Sequence, residues 1–440
     1  MRALLLSAVL VGLLPLAFLQ PHVGILVYYW LSLMNPHRIA WGFASEFPFA
    51  MVIAIATLSG WLLGRERKSY PMNGLAILLA LLLVWMSITT LTALSPALAY
   101  VKWSLAAKIL VMSLVTIPLM QNRTRLHALV WVAAASIGYY GVKGGGFAIV
   151  TAGAYRVSGP PDSFIGDNNA LALALVMVLP LMWYLWSQSR LRAIRYGLLA
   201  AMGLTTLAAI TTYSRGGLLA LLAIICVMLL RSRRRVALGL AVVVMAGMTA
   251  QFLPAQWYER MMTIQEYESD QSAQGRLTMW RMAINIASDR PIQGGGFSVF
   301  KDKAVYPRYN PGATTVRDVH SIYFEMLGEH GVVGLSLFLA IGILAFRQTT
   351  WIRRRSRQHD RLHWANDLAG MIQVSLVGYA VSGAFLTLGT FDLYYLLISM
   401  TVALKQTVER TLNELEAMKD AVADRAPAAI ADPVRLSVGQ

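Results

Sequence analysis

Long apolar runs alternate with short polar intervals along almost the whole chain, and the runs have lengths that suit a lipid bilayer. Thirteen can be marked, at about 3–20, 22–35, 48–64, 72–91, 103–120, 126–142, 169–187, 196–213, 216–231, 236–253, 331–346, 364–388 and 390–405. A hydrocarbon core about 30 Å thick takes roughly 20 residues of helix to cross, and a helix satisfies its backbone N–H and C=O groups internally. The pattern therefore predicts an all-α polytopic membrane protein. One interval breaks it: Pro254 to His320 is the only long polar stretch between apolar runs, with eight Arg or Lys against seven Asp or Glu. Inside it, Leu277, Trp280, Ile284 and Ala287 have the spacing of an amphipathic helix over about 277–288, ended by Pro291 and Gly294 to Gly296. The chain thus divides into transmembrane helices with short loops over 1–253, one large helical loop over 254–320, further transmembrane helices over 321–405 and a tail over 406–440. The tail has helix-forming composition from Thr407 to Asp424 and a loose Ala/Pro-rich end.

Arginine and lysine set the expected orientation, because short cytoplasmic loops collect them. Clusters at Arg65 to Lys68, Arg123 and Arg125, Arg190 to Arg195, Arg231 to Arg235 and Arg347 to Arg361 fall in alternate loops. These are read as inside, which puts 92–102, 143–168, 254–320 and the turn near Asp392 outside and both termini inside. Two inside termini require an even number of crossings. The first two runs, interrupted by Pro15 and Pro21, are therefore expected to form one broken crossing or a re-entrant hairpin, leaving about twelve spans.

Composition sharpens this picture. A chain of 440 residues that is 57% hydrophobic and 14% charged is too apolar for a soluble protein. Its net charge of +16 gathers in the inside clusters, where it complements anionic lipid, and no aromatic-interleaved basic patch points to nucleic acid. The single cysteine, Cys226, excludes an intramolecular disulfide and a Cys-based metal site. No HExxH, clustered carboxylates, Walker loop or Rossmann fingerprint appears, so neither metal nor cofactor is expected, and the GGG runs at Gly144 and Gly294 read as loop hinges.

Three residues stand out chemically. Arg215, in TTYSRGG, lies at the outer edge of an apolar run, against the charge rule, with Gly216 and Gly217 leaving room for a ligand. Its guanidinium either binds phosphate oxygens in pairs or snorkels to headgroups. Arg276 is expected at the start of the amphipathic helix, where the dipole offers a cation nothing and an anionic partner would; an exposed arginine is the plain alternative, and Arg281 is its competitor. His320, in VRDVHSIYFEMLGEHG, sits at the outer interface, where an imidazole suits general-base work near neutral pH, or simply starts a helix; His330 is read as structural. Lower in rank are Lys108, which reaches an anion or snorkels with Lys102; Arg156 and the Asp167 to Asn169 cap in an outer loop; and Asp392, placed to orient His320 or pair an arginine.

The motifs SRGG at Ser214, GRLTMWRMAINIASDRPIQGGGF from Gly275 and HSIYFEMLGEHGVVG from His320, in that order around one large loop, resemble the O-antigen ligase/Wzy superfamily of bacterial membrane glycosyltransferases. DNNALALALVMVLP from Asp167 is similar too, and MNPHRIAWGFASEFPFA from Met34 resembles the O-glycosylation ligases that accompany exosortase systems. The resemblance implies metal-independent, inverting transfer of a glycan from undecaprenyl pyrophosphate at the periplasmic face of the inner membrane. The acceptor it implies is the lipid A–core of lipopolysaccharide, with a protein acceptor or a growing glycan as alternatives. By the same resemblance His320 is the base and Arg215 and Arg276 hold the donor pyrophosphate. A lipid-linked glycan transporter is the more remote reading, since its charges would gather at the bilayer midplane.

Overall fold

The computed structural model describes every residue except 41, 65, 67, 69, 233, 234, 263–270, 312–314 and 426–440. Among the described residues there are helices and no strands, in the order α1 (Arg2–Leu19), α2 (Pro21–Met34), α3 (Pro36–Ala40), α4 (Phe49–Leu63), α5 (Gly74–Leu91), α6 (Pro96–Leu119), α7 (Arg123–Val150), α8 (Asn168–Gln188) and α9 (Arg192–Thr211). There follow α10 (Arg215–Arg231), α11 (Arg235–Phe252), α12 (Ala255–Met262), α13 (Gln271–Asp289), α14 (Tyr306–Tyr309), α15 (Ile322–Ser356), α16 (His363–Gly383) and α17 (Asp392–Arg425). The chain is an all-α multi-pass membrane protein. Seven of the described helices, α1, α5, α6, α8, α9, α11 and α15, are long and apolar enough by themselves to cross a bilayer.

Local sequence sets many helix starts. Asn73, Asn122, Asp167 and Ser214 each accept a backbone N–H of the first turn, heading α5, α7, α8 and α10, and Pro21 and Pro96 open α2 and α6. α8 is apolar on all sides and is wrapped by α7, α9, α10 and α16, which makes it the centre of the bundle. The first half of α17 is buried in the same way against α6 and α15.

The large loop packs round a small core of its own. Met279, Met282, Ala283 and Ile286 of α13 close on Val299, Phe300, Tyr306 and Val319, and Trp280 stacks on Phe324 at 4.9 Å. The buried face is displaced from the one expected, since Leu277 and Ile284 point outward. Nearly every residue from Leu277 to Ala287 is apolar or small, so two faces fit the helical period and the packing partner decides between them.

Three further expectations change. α13 begins by Gln271, so Arg276 lies within it and not at its start. Gly144 to Gly146 are not a hinge but belong to α7, where a Cβ at Gly145 would lie 2.3 Å from the Leu204 carbonyl oxygen and one at Gly141 would lie 2.2 Å from Thr205 Oγ1. Small residues there let α7 and α9 approach closely. The tail helix is continuous with the last apolar run as α17, while the Ala/Pro-rich end over 426–440 lies outside the described residues. At the N-terminus α1 and α2 are separate helices meeting at Gln20; α2, with 14 residues, is too short to cross by itself.

Candidate functional site

α15 carries a break that organises the site. Gly331 has φ 68°, splitting the helix into a short piece after His320 and a long apolar piece. A break frees backbone carbonyls, which must be satisfied when buried. Here the Gly328 and Glu329 carbonyls accept from Gly295 and Gly296 N–H, both at 2.8 Å, and the His330 carbonyl accepts from Trp85 Nε1 at 2.9 Å. Val332 N–H returns a bond to the Pro291 carbonyl at 2.8 Å. The turn that follows α13 is thereby seated in the break of α15. Gly294, with φ 66°, has no room for a Cβ, which would lie 2.6 Å from Gly331 N.

A buried ionic cluster lies beside this joint. Lys102 Nζ donates to Glu325 Oε1 at 2.7 Å and to both Glu329 oxygens at 2.8 Å. Glu329 also accepts from Ser298 N–H and Glu325 from Gly389 N–H, each at 2.8 Å. One cluster thus joins α6, the short piece of α15, the turn after α13 and the loop before α17. The sequence reading ranked Lys108 above Lys102; the structure leaves Lys108 exposed on α6 and puts Lys102 in this cluster. His330, read as structural, is fully buried, with Nδ1 2.7 Å from Thr89 Oγ1 and its ring edge-on to Phe297.

His320 lies two residues before α15 begins. Its backbone is left-handed, φ 48°, and its N–H donates to Thr387 Oγ1 at 2.9 Å. Burial, and next the positive charge of Arg276, hold its imidazole below the ordinary histidine value, while the carboxylates of Asp318 and Asp167 pull the other way. The neutral, proton-accepting form is favoured. Arg276 places its guanidinium 5.9 Å from the ring centre of Phe385. Phe385 also meets Gly216, where an added Cβ would lie 3.3 Å from its own. The loop 384–391 is therefore a shared floor: Phe385 under Arg276 and beside Arg215's neighbour, Thr387 under His320, Gly389 on Glu325.

Arg215, at the start of α10, lines a cavity of about 350 Å³ with Arg156, Arg260, Tyr213, Gln256 and Glu259. Arg260 Nε donates to the Tyr213 carbonyl at 3.2 Å, and the Arg156 guanidinium lies 5.8 Å from the Tyr213 ring centre. Three guanidinium groups and one carboxylate thus share one space, a net positive lining of the kind that suits an anion. Arg260 escaped the sequence reading because its neighbour Glu259 and the balanced charge of the loop hide it. Asp167 is the helix cap it was expected to be. Arg281 is exposed on α13, five residues on from Arg276 and hence about 140° round the helix, away from it. Asp392 is buried at the head of α17 and bonds Ser32 of α2. It pairs with no arginine among the described residues and does not touch His320. No cluster of metal ligands occurs among the described residues.

Residues 198–339, the stretch that holds Arg215, Arg276, the seated turn and His320, match the O-antigen ligase family model. That stretch of the chain belongs to the O-antigen ligase/Wzy superfamily. Residues 1–190 match a family of unknown function, and no curated protein matches the chain. The ligase match covers the arginine–histidine corner, but not Arg156, Lys102 or the loop 384–391, which complete it from outside.

Proposed function

We propose that this protein is a metal-independent, inverting glycosyltransferase of the bacterial inner membrane that moves a glycan from undecaprenyl pyrophosphate to an acceptor at the periplasmic face, the acceptor being lipid A–core. The observation that supports this reading is that Arg276 and His320 both rest on one loop, 384–391, which also packs against Gly216 beside Arg215. A sugar hydroxyl is a weak nucleophile. His320 takes its proton as the oxygen attacks the anomeric carbon from the face opposite the leaving group, so one displacement inverts the centre. The bond to the pyrophosphate oxygen breaks, and the guanidinium groups of Arg215 and Arg276, with Arg156 and Arg260 alongside, take up the negative charge that develops. Positively charged side chains then do at this site what a divalent metal does elsewhere.

The test is a purified reaction with one undecaprenyl-pyrophosphate glycan donor and three acceptors: lipid A–core, a pilin-like protein and a second donor molecule. Transfer to lipid A–core in the presence of chelator is the expected outcome. Transfer to protein alone would make the chain a protein O-oligosaccharyltransferase of the exosortase-associated kind, and chain growth on the donor would make it a polymerase. A rate abolished by chelator and restored by magnesium would overturn the metal-independent chemistry.

A further inference from the structure

Three hollows on this molecule are neighbours in sequence, each sharing a lining residue with the next. The first is an apolar groove of about 410 Å³ on the flank of α7, α8 and α9, lined by Trp131, Ala135, Gly138, Met182 and Ala201, with Lys143 at one end. Lys143 also lines the second, a cavity of about 670 Å³ between the segment 38–46 and the loop 156–162, whose walls carry Arg38, Glu46, Tyr140, Phe147 and Asp162. Arg156 lines this cavity and the arginine cavity beyond it. The order is therefore apolar groove, mixed polar cavity, arginine cavity.

Each compartment favours one kind of chemistry. The groove is almost wholly carbon. The middle cavity sets two carboxylates among its cations, which opposes phosphate, while carboxylates, guanidinium groups and aromatic faces together suit the hydroxyls and C–H faces of sugars. Its volume lies within the range of ordinary ligand sites. The arginine cavity suits phosphate. A donor places its pyrophosphate directly between lipid and sugar, so its lipid should leave from the arginine cavity, not from a groove on the far side of the sugar cavity. An acceptor that carries lipid first, sugars next and the reacting hydroxyl last fits the observed order.

The geometry points to an acceptor site built mainly, though not wholly, from the region of unknown function: the α7–α8–α9 groove takes the apolar chain of a lipid-anchored oligosaccharide, and the cavity lined by Arg38, Glu46 and the loop 156–162 takes its sugars, delivering a hydroxyl past Arg156. This rests on the glycosyltransferase reading for the hydroxyl's fate, but the binding itself does not.

Binding to the full-length protein in nanodiscs tests it, with three probes: lipooligosaccharide (lipid A carrying core sugars), its delipidated core oligosaccharide, and undecaprenyl pyrophosphate. Ala135→Trp fills the groove from its exposed side and should weaken lipooligosaccharide at least tenfold while sparing the other two probes. The pair Glu46→Gln and Asp162→Asn should weaken both sugar-bearing probes and spare undecaprenyl pyrophosphate. Weakened undecaprenyl pyrophosphate with Ala135→Trp would give the groove to the donor and overturn the assignment, as would unchanged binding of every probe, which would leave the groove to bulk lipid. If the binding pattern holds and no transfer occurs, the catalytic reading fails and the site stands.

Discussion

His320 combines two properties that point in different directions for stability and for chemistry. Its left-handed backbone is one that a residue with a Cβ adopts at a cost on the order of 1–3 kcal/mol, and Gly or Asn accepts it more readily. His320→Asn and His320→Gly should therefore unfold no earlier than the parent in a thermal melt, while transfer falls about a hundred- to ten-thousand-fold. A melting temperature lowered in step with activity would mean that the histidine only holds the fold. Its imidazole is kept below the ordinary value of 6.5, first by burial and then by Arg276. The stability this neutral histidine contributes is thus present above pH 6.5 and lost as pH falls below it toward the folded value. The transfer rate should follow the same sign, with its acid limb below 6.5. Arg276→Gln removes a charge that opposes protonation, so it should move that limb upward as well as weaken donor binding, and a rate–pH profile that drops without moving would contradict this.

Among elements, the seated turn and the buried cluster hold the parts of the site in register. Gly331→Ala and Gly294→Ala each force a Cβ into backbone atoms at positive φ, and Gly331 would meet the Ile292 carbonyl oxygen at 2.1 Å. Loss of the joint should lower the melting temperature and abolish transfer even though neither residue nears the reacting atoms. Lys102→Met leaves two buried carboxylates without their cation and should cost about 3–5 kcal/mol, the usual penalty for half a buried pair. Adding Glu325→Gln and Glu329→Gln to it should recover part of that in a denaturant titration; no recovery would mean that Lys102 matters for its packing alone. These joints also show where legibility in sequence ends. Arg215 could be found because an ionisable group beside lipid calls for a reason, His320 because an imidazole at the outer interface suits proton transfer, and Arg276 from a helix start that the structure moves back to Gln271. Lys102 and Lys108 have the same chemistry and lie on one helix, and only the Glu-bearing helix packed against Lys102 separates them. The glycines of α7 were misread because their reason is the backbone of α9, which no local pattern contains.

At the scale of the whole molecule, the alternation of arginine clusters predicts that the α12–α13 region lies outside. Ser288→Cys in a Cys226→Ala background should label with an impermeant thiol reagent in spheroplasts, since Ser288 is exposed on α13. Labelling that needs lysis would invert the topology and with it the periplasmic reaction. The apolar rhythm made the helical membrane class plain, because lipid imposes one solution on the backbone. It did not disclose how distant helices share a site.

The loop 384–391 gives that sharing a practical edge. It lies beyond residue 339, where the ligase match ends, yet Phe385, Thr387 and Gly389 support Arg276, His320 and Glu325. A portable catalytic cassette cannot be cut at the homology boundary: a fragment of residues 198–339 would carry the conspicuous arginines and histidine with no floor under them. Grafted into another bundle, it should fail to bind donor until a matching 384–391 loop and the segments bearing Lys102 and Arg156 are supplied with it, so transplantation requires several segments exchanged together.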